Sequence, residues 1–181
     1  MNLFYTPDIE GLEYTLNPEE SKHCVRVLRF TAGEPVALVD GRGNWYQGEI
    51  ERADAKGCKV RVIEKRSCVG KRSFRLHLAI APTKNLDRIE WMLEKCTEMG
   101  IDEITLLCTE HSERKVVKEE RLEKVLVAAM KQSLKAYLPK LNPRTPLKEF
   151  DQNCSASLRC IAHCRPGEKK RLDEIYSLGE D

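Results

Sequence analysis

The pattern of apolar and polar positions changes character near residue 70. Before that point apolar residues alternate in short runs: "EPVALVD", "NWYQGEIER" and "KGCKVRVIEKR". Turn-forming stretches separate them, "DGRGN" at 40–44 and "ADAKG" at 53–57. Alternation broken by such turns predicts several short strands packed close together, hence a small barrel. One helix interrupts, with Asn17 as cap, Pro18 in the first helical position and "EESKHCVRVLRF" behind them. "KRSCVGKRS" then reads as a basic linker.

From residue 73 the rhythm is βαβαβα. "FRLHLAIA" predicts a strand. "NLDRIEWMLEKCTEM" predicts a helix capped by Asn85 and closed by Gly100, with Leu86, Ile89, Leu93 and Cys96 on its buried stripe. "EITLLC" predicts a second strand, and "KEERLEKVLVAAMKQSLKAYL" a long helix stopped by Pro139. "PKLNPRTPLKEFDQNCSAS" reads as a connection, "LRCIAHC" as a third strand and "EKKRLDEIYSL" as a short helix. Strands separated by helices of this length imply a parallel sheet with helices on its faces. The expected fold is therefore α+β in two domains: a small β-barrel over 1–70 and a parallel α/β domain over 73–181.

The long helix contains an oddity. Leu122, Val125, Leu126, Ala129, Met130 and Tyr137 share one face, yet Ser133 falls in the middle of that face and Gln132 at its edge. The structural explanation is a Ser133 hydroxyl bonded back to the Ala129 carbonyl. The functional one is a pair of polar groups turned toward a ligand.

Composition adds little direction. The 181 residues are 41% hydrophobic and 33% charged, ordinary for a globular protein. The net charge of +2 does not announce nucleic acid. No apolar run approaches the ~20 residues of a membrane helix, and "MNLFYTPDIEG" lacks the features of a signal peptide. The expected compartment is the cytoplasm. There, most of the eight cysteines (Cys24, Cys58, Cys96, Cys108 and Cys160 lie in apolar patterns) read as free buried thiols. Cys154, Cys160, His163 and Cys164 lack the paired spacing of a zinc module, so no metal is expected.

There is no P-loop and no glycine-rich dinucleotide fingerprint. An α/β domain binds its ligand beyond the carboxyl ends of its strands. With the strands above, those ends are Ala81–Lys84, Cys108–Ser112 and His163–Pro166.

Four segments, "HCVRVLR", "DGRGNWY", "LEKCTEMGIDEITLLCTEHSER" and "KQSLKAYLP", occur in order along the chain. Together they resemble the 16S ribosomal RNA uridine N3-methyltransferase family (RsmE-like) of the SPOUT superfamily of knotted methyltransferases. The family's His and Val-Leu-Arg positions fall on His23, Val27, Leu28 and Arg29, and its Asp-Gly, Gly and Tyr positions on Asp40, Gly41, Gly43 and Tyr46. Its Lys and Arg after the first catalytic-domain strand fall on Lys84 and Arg88. Further on, Lys95, Glu98, Met99 and Gly100 match, then Glu110, His111 and Ser112, with histidine where arginine is common. Its Glu-Gln-Ser-x-Arg…Pro pattern meets Lys131, Gln132, Ser133, Lys135 and Pro139. Lysine at 135 keeps a phosphate-binding charge and loses arginine's bidentate fork.

The resemblance implies a PUA-like barrel that binds RNA, a SPOUT-type α/β domain using S-adenosyl-L-methionine, 16S ribosomal RNA of the small subunit as partner, and a homodimer. The family's Ile-Gly-Pro-Glu-Gly loop and the following Leu-Gly…Arg…Glu-Thr-Ala segment form the knot and hold most of the cofactor. They find no match here, so the chain is expected to lack the main wall of the cofactor pocket and to be inactive by itself. Only the edge His163, Cys164 and Arg165 is left for the cofactor.

N3 of uridine lies on the Watson–Crick edge, so the base must be unpaired or flipped, and N3 must lose a proton. Glu110, His111 and Arg114 are the candidates for that work, although a solvated turn explains them equally. The RNA-facing candidates are His23, Arg26, Arg29, Arg42, Lys84, Arg88, Gln132, Ser133 and Lys135. Lys65, Arg66, Lys71 and Arg72 add positive charge, against a bland reading in which nearby glutamates balance a solvated face. The alternatives are a non-catalytic RNA-binding module and an α/β enzyme acting on a small metabolite.

Overall fold

A computed structural model describes residues 2–110, 112, 117–162 and 164–175. The N-terminal unit is a curled five-stranded sheet in the order β1-β3-β4-β5-β2. The strands are β1 (Leu3–Tyr5), β2 (Glu13–Thr15), β3 (Pro35–Val39), β4 (Trp45–Arg52) and β5 (Lys59–Arg66). β3, β4 and β5 are antiparallel, whereas β1 lies parallel to β3 with Phe4 opposite Leu38. The three longer strands match the alternation in the sequence; β1 and β2 are too short to carry a period. Phe4, Leu16, Leu38, Ile50 and Val60 fill the core, which also encloses Cys24 and Cys58 with their Sγ atoms 3.9 Å apart. Burial pushes the Cys24 thiol up to about 12. Cys160, expected inside a strand, is exposed, and all eight cysteines are free.

The helix of this unit is shorter than expected. α1 (Pro18–Lys22) is capped by the Asn17 side chain, which accepts from the Glu20 amide at 2.8 Å. The chain then widens into a π-helical turn over His23–Val27, where the Leu28 amide donates to the His23 carbonyl at 3.0 Å. Arg29 ends it in the left-handed region, φ 59°. Widened turns of this kind are frequent at functional positions.

The second unit has a parallel three-stranded sheet, β6 (His77–Ile80), β7 (Glu103–Cys108) and β8 (Lys140–Pro146), in that order. Between them run α2 (Leu86–Met99) and α3 (Glu119–Gln132), followed by α4 (Leu147–Asn153) and α5 (Leu172–Ile175). α2 begins and ends as its sequence requires: Asn85 caps it, and Gly100 closes it at φ 86°. Ile89, Leu93, Ile104, Leu106, Leu122 and Leu126 form the core where both helices cover one face of the sheet.

Two expectations fail here. The third strand is 140–146 rather than 158–164. β8 contains Pro143 and Pro146, which argue against a strand in sequence. Here it is an edge strand of the described sheet, and its pairing with β7 shifts register between Thr105 and Leu107, so Pro143 falls in the irregularity. Residues 158–162 and 164 form no strand.

The long helix also stops seven residues before Pro139. Ser133 is its C-cap, and Leu134 takes φ 54°. The Lys135 amide reaches the Met130 carbonyl at 3.0 Å and the Leu134 amide that of Lys131 at 3.3 Å. This is the Schellman arrangement, with leucine where glycine is usual. The apolar period overran because Ala136 and Tyr137 continue it outside the helix. Leu134→Gly is expected to stabilise the protein by about 1 kcal/mol in urea titrations, since a left-handed leucine costs that much or more.

The units meet along a third apolar cluster: Leu3, Ala37 and Val39 from the first sheet against Met130 and Ala136 from the second unit. Lys131 on α3 pairs with Glu20 on α1 at 2.5 Å. Arg72, in the linker, bonds the Gly100 carbonyl and the Asp102 carboxylate.

Candidate functional site

Topology sorts the candidate residues into two groups. α3 runs from the carboxyl edge of the parallel sheet back to its amino edge, and its 14 residues span about 20 Å. Glu110, Lys84 and Arg88 lie at the carboxyl edge, whereas Gln132, Ser133 and Lys135 lie at the other end of α3.

At the carboxyl edge the loop after β7 is held by side chains. The Ser112 hydroxyl accepts from the Thr109 amide at 2.8 Å and lies 3.0 Å from the Thr109 hydroxyl, while the Ser112 amide donates to the Thr109 carbonyl. This small turn presents Glu110 to solvent. His111 and Arg114 lie outside the described residues. After β6, the Thr83 hydroxyl donates to the Asn85 carbonyl at 2.9 Å, and Asn85 in turn caps α2. Lys84 and Arg88 are exposed beside this cap. Arg144 of β8 donates to the Cys108 Sγ at 3.0 Å, joining the ends of β7 and β8. The remaining expected edge loses its premise, because no strand precedes it. Cys164 and Arg165 are exposed in irregular chain beyond α4, and His163 lies outside the described residues. The third carboxyl end belongs to Pro146.

At the other end, His23 and Gln132 line one cleft of about 260 Å3 between the units, together with Asn2, Leu28, Lys131 and Leu134. The Lys131 ammonium sits 5.9 Å from the centre of the Phe4 ring. Arg26 and Arg29 are exposed on the adjoining π-helical turn. The Ser133 hydroxyl donates to the Ala129 carbonyl at 2.7 Å, so its proton is committed within the helix end.

The 40–44 loop, read in the sequence as a turn and as the place of the family's Asp-Gly and Gly positions, ties the two units together at this junction. Asp40 is buried, and its carboxylate collects the Arg42 and Asn44 amides at 2.8 and 3.2 Å, the Asn44 side-chain amide at 2.6 Å and the Arg42 Nε at 3.3 Å. Burial alone would raise its pKa; the hydrogen bonds from Asn44 and Arg42 outweigh burial and hold it below the ordinary 3.8. The loop docks on the chain leaving α3: the Gly43 amide donates to the Ala136 carbonyl and the Leu138 amide to the Gly41 carbonyl, each at 2.9 Å. The Ser67 hydroxyl donates to the Asn44 side chain and the Val69 amide to the Gly43 carbonyl, tying in the linker. The spacing Asp-Gly-x-Gly-Asn was the available signal, because two glycines in a polar turn permit close backbone approach.

A second unforeseen cluster lies on the sheet face opposite α2 and α3. Glu103 accepts from the Asn142 amide at 2.6 Å, lies 3.5 Å from the Lys140 ammonium and pairs with Arg75. His77 Nε2 is 2.7 Å from the Thr105 hydroxyl, and its ring meets Phe150 of α4 edge-on at 5.3 Å. Burial would raise Glu103, but Asn142, His77, Arg75 and Lys140 together hold it below 4.5. Burial lowers His77 below 6.5. A lowered carboxylate stabilises fully above its unfolded value, and that stability is lost as pH falls through the folded one. A lowered histidine opposes folding as pH drops below 6.5. Both make acid destabilising, the histidine first. Glu103→Gln is therefore expected to flatten the acid limb of the stability curve, as read from urea midpoints taken from neutral pH downward.

Among the described residues no helix is long and apolar enough to cross a membrane, and no three His, Cys, Asp or Glu side chains gather as a cation site.

The architecture is a curled five-stranded sheet joined to a parallel three-stranded α/β unit. Residues 70–180 match the model of the RNA methyltransferase domain and residues 16–63 that of the RNA methyltransferase PUA domain, so the chain belongs to the RNA methyltransferase family. The motif resemblance to the knotted methyltransferases holds at that level. A probable rRNA-methyltransferase from Porphyromonas gingivalis is 46% identical over 82% of this chain and 62% of its own, with a TM-score of 0.76. A protein of Legionella pneumophila, assigned as a methyltransferase and solved in complex with the bound cofactor SAM, is 27% identical over 96% of this chain and 73% of its own, TM-score 0.80. The ribosomal RNA small subunit methyltransferase E from Neisseria gonorrhoeae, bound to S-adenosyl methionine, shares the fold at 21% identity, over 86% of this chain and 66% of its own, with a TM-score of 0.75. The chain thus spans less than two thirds of the P. gingivalis protein's length.

Proposed function

We propose that the protein works in S-adenosyl-L-methionine-dependent methylation of N3 of a uridine in 16S ribosomal RNA, as a homodimer in the cytoplasm. Residues 1–70 bind RNA, and 73–181 belong to the catalytic unit. The observation that carries the reading is the 46% identity, across most of the chain, to a probable rRNA-methyltransferase. The choice of uridine N3 and the small subunit rests on the ordered motifs from His23 to Pro139, and the cofactor on relatives solved with it.

The chemistry asks for alignment more than for reactive groups. When bound, S-adenosyl-L-methionine supplies an electrophilic methyl on a sulfonium. The protein has to hold N3 in line and accept its proton. Glu110, exposed after β7 at the carboxyl edge, is a carboxylate placed to take that proton; His111 and Arg114 follow it closely in the sequence. The exposed Arg26 and Arg29, with His23 and Gln132 in the adjoining cleft, place phosphate-binding groups on the other side of the molecule. RNA then runs across both units.

Incubating the full-length product of the gene with 16S ribosomal RNA and methyl-labelled cofactor, followed by nucleoside mass spectrometry, should give 3-methyluridine. Label on another base or position would overturn the assignment. Arg26→Ala with Arg29→Ala is expected to weaken binding of small-subunit RNA and to reduce the slope of log affinity against log salt by about 2, since each lost phosphate contact removes about one released counterion. An unchanged slope would place both arginines off the RNA path.

A further inference from the structure

The 40–44 loop holds an arrangement that a turn does not require. Asp40 is 1% exposed, and it grips Arg42 only through the backbone amide and Nε, at 2.8 and 3.3 Å. The Arg42 side chain as a whole is 68% exposed. Among the described residues no hydrogen bond is made by its two terminal nitrogens. An arginine normally spends rotamer freedom when it clamps a phosphate; here the buried carboxylate and the docked loop have already fixed its base and aimed its fork outward. The site sits where three segments converge: the loop itself, the linker through Ser67 and Val69, and the chain after α3, with Arg42 bridged antiparallel to Tyr137. Lys135 stands two residues before Tyr137 on that chain, and no side-chain partner holds its ammonium among the described residues.

We propose that Asp40 is a positioning residue that presents the Arg42 guanidinium as a preset fork for one RNA backbone phosphate, with Lys135 as the second cation, at the seam between the two units. The proposal rests on the RNA reading above and deepens it. A phosphate held at the seam touches both units at once, so it fixes the RNA's register relative to the catalytic unit and not merely its attachment to the barrel. Phosphate contacts of this kind position a nucleic acid without reading its sequence. The mechanism differs from simple attraction in sign. Asp40 is an anion beside the site, so on charge alone its removal should favour RNA. If it acts by orienting Arg42, its removal should weaken binding.

The test uses the full chain and a fluorescently labelled single-stranded oligouridylate, titrated at several salt concentrations, with thermal melting of every variant. Arg42→Ala should lower affinity and reduce the salt slope by about 1. Arg42→Lys should keep the slope, because the charge stays, and lose roughly 3- to 10-fold in affinity, because the fork is gone. Asp40→Asn should also weaken binding by roughly 3- to 10-fold with the slope kept. Should Asp40→Asn melt early, Arg42→Lys decides the matter, since it leaves every backbone bond to Asp40 in place. Inorganic phosphate at an equal phosphate concentration should compete poorly. Equal affinity of Arg42→Lys and the unchanged protein, tighter binding by a folded Asp40→Asn, or full competition by inorganic phosphate would each overturn the proposal while leaving RNA binding intact. Failure of the unchanged protein to bind either oligouridylate or 16S ribosomal RNA would overturn the RNA reading itself, and the proposal with it.

Discussion

Gly43→Ala should be among the most damaging small substitutions in this protein, costing about 3 kcal/mol in urea titrations. Two independent terms add. Gly43 has φ 95°, a conformation that a side chain occupies only at a cost of about 1–2 kcal/mol. A Cβ there would also run into the Tyr137 ring, with even the Cε1 atom only 2.7 Å away, and overpacking of this sort costs about 1–3 kcal/mol. The double variant Gly43→Ala, Tyr137→Ala separates them. It should recover the steric part relative to the sum of the single changes and keep the conformational part. Strict additivity of the two substitutions would show that the ring moves aside freely.

Met130→Asp should cost about 4 kcal/mol and split unfolding into two steps. Met130 is fully buried where Leu3, Val39 and Ala136 meet, and a carboxylate there has no partner. Each unit has its own core, around Leu38 in one and Leu93 in the other, so neither depends on the seam for its interior. The two tryptophans report separately. Trp45 lies in the barrel against the seam cluster, and Trp91 is exposed on α2. In single-tryptophan variants of the unchanged seam their transitions should coincide; with Met130→Asp they should separate, and one unfolding free energy no longer describes the protein. Coincident transitions in the variant would mean that the seam is not what couples the units.

Much of this architecture can be read from local chemistry. The stripe, cap and closing glycine of α2 agree with one another, and the structure follows all three. β3, β4 and β5 are legible because each is half-buried and alternates. What escapes the sequence depends on distant partners. β8 carries two prolines and acquires its strand identity only from β7 beside it. The end of α3 is hidden because Ala136 and Tyr137 keep the helical period while packing on the 40–44 loop nearly a hundred positions earlier. The candidate residues show the same division. His23 and Gln132 do share a cleft, and Ser133 makes the helix-end bond its position suggested. Lys84 and Arg88 lie at the opposite end of α3 from Gln132, Ser133 and Lys135, a separation that follows from the direction of α3 and is not written in the sequence. The Glu103 network has no local signature, since its members come from three strands and the segment before the first of them.

The placement of β1 sets the order in which the molecule is completed during synthesis. Leu3, Ala37 and Val39 can join the first sheet once residue 66 has been made, but Met130 and Ala136, which cover them, arrive about seventy residues later. At about 5–20 residues per second that delay is roughly 4–14 s. For this interval the newborn barrel carries a bare apolar strip along a parallel-paired terminal strand. β1, made before every other element of either sheet, is thus among the last to be sheltered, and the nascent protein presents that strip to chaperones or to its neighbours on the same messenger.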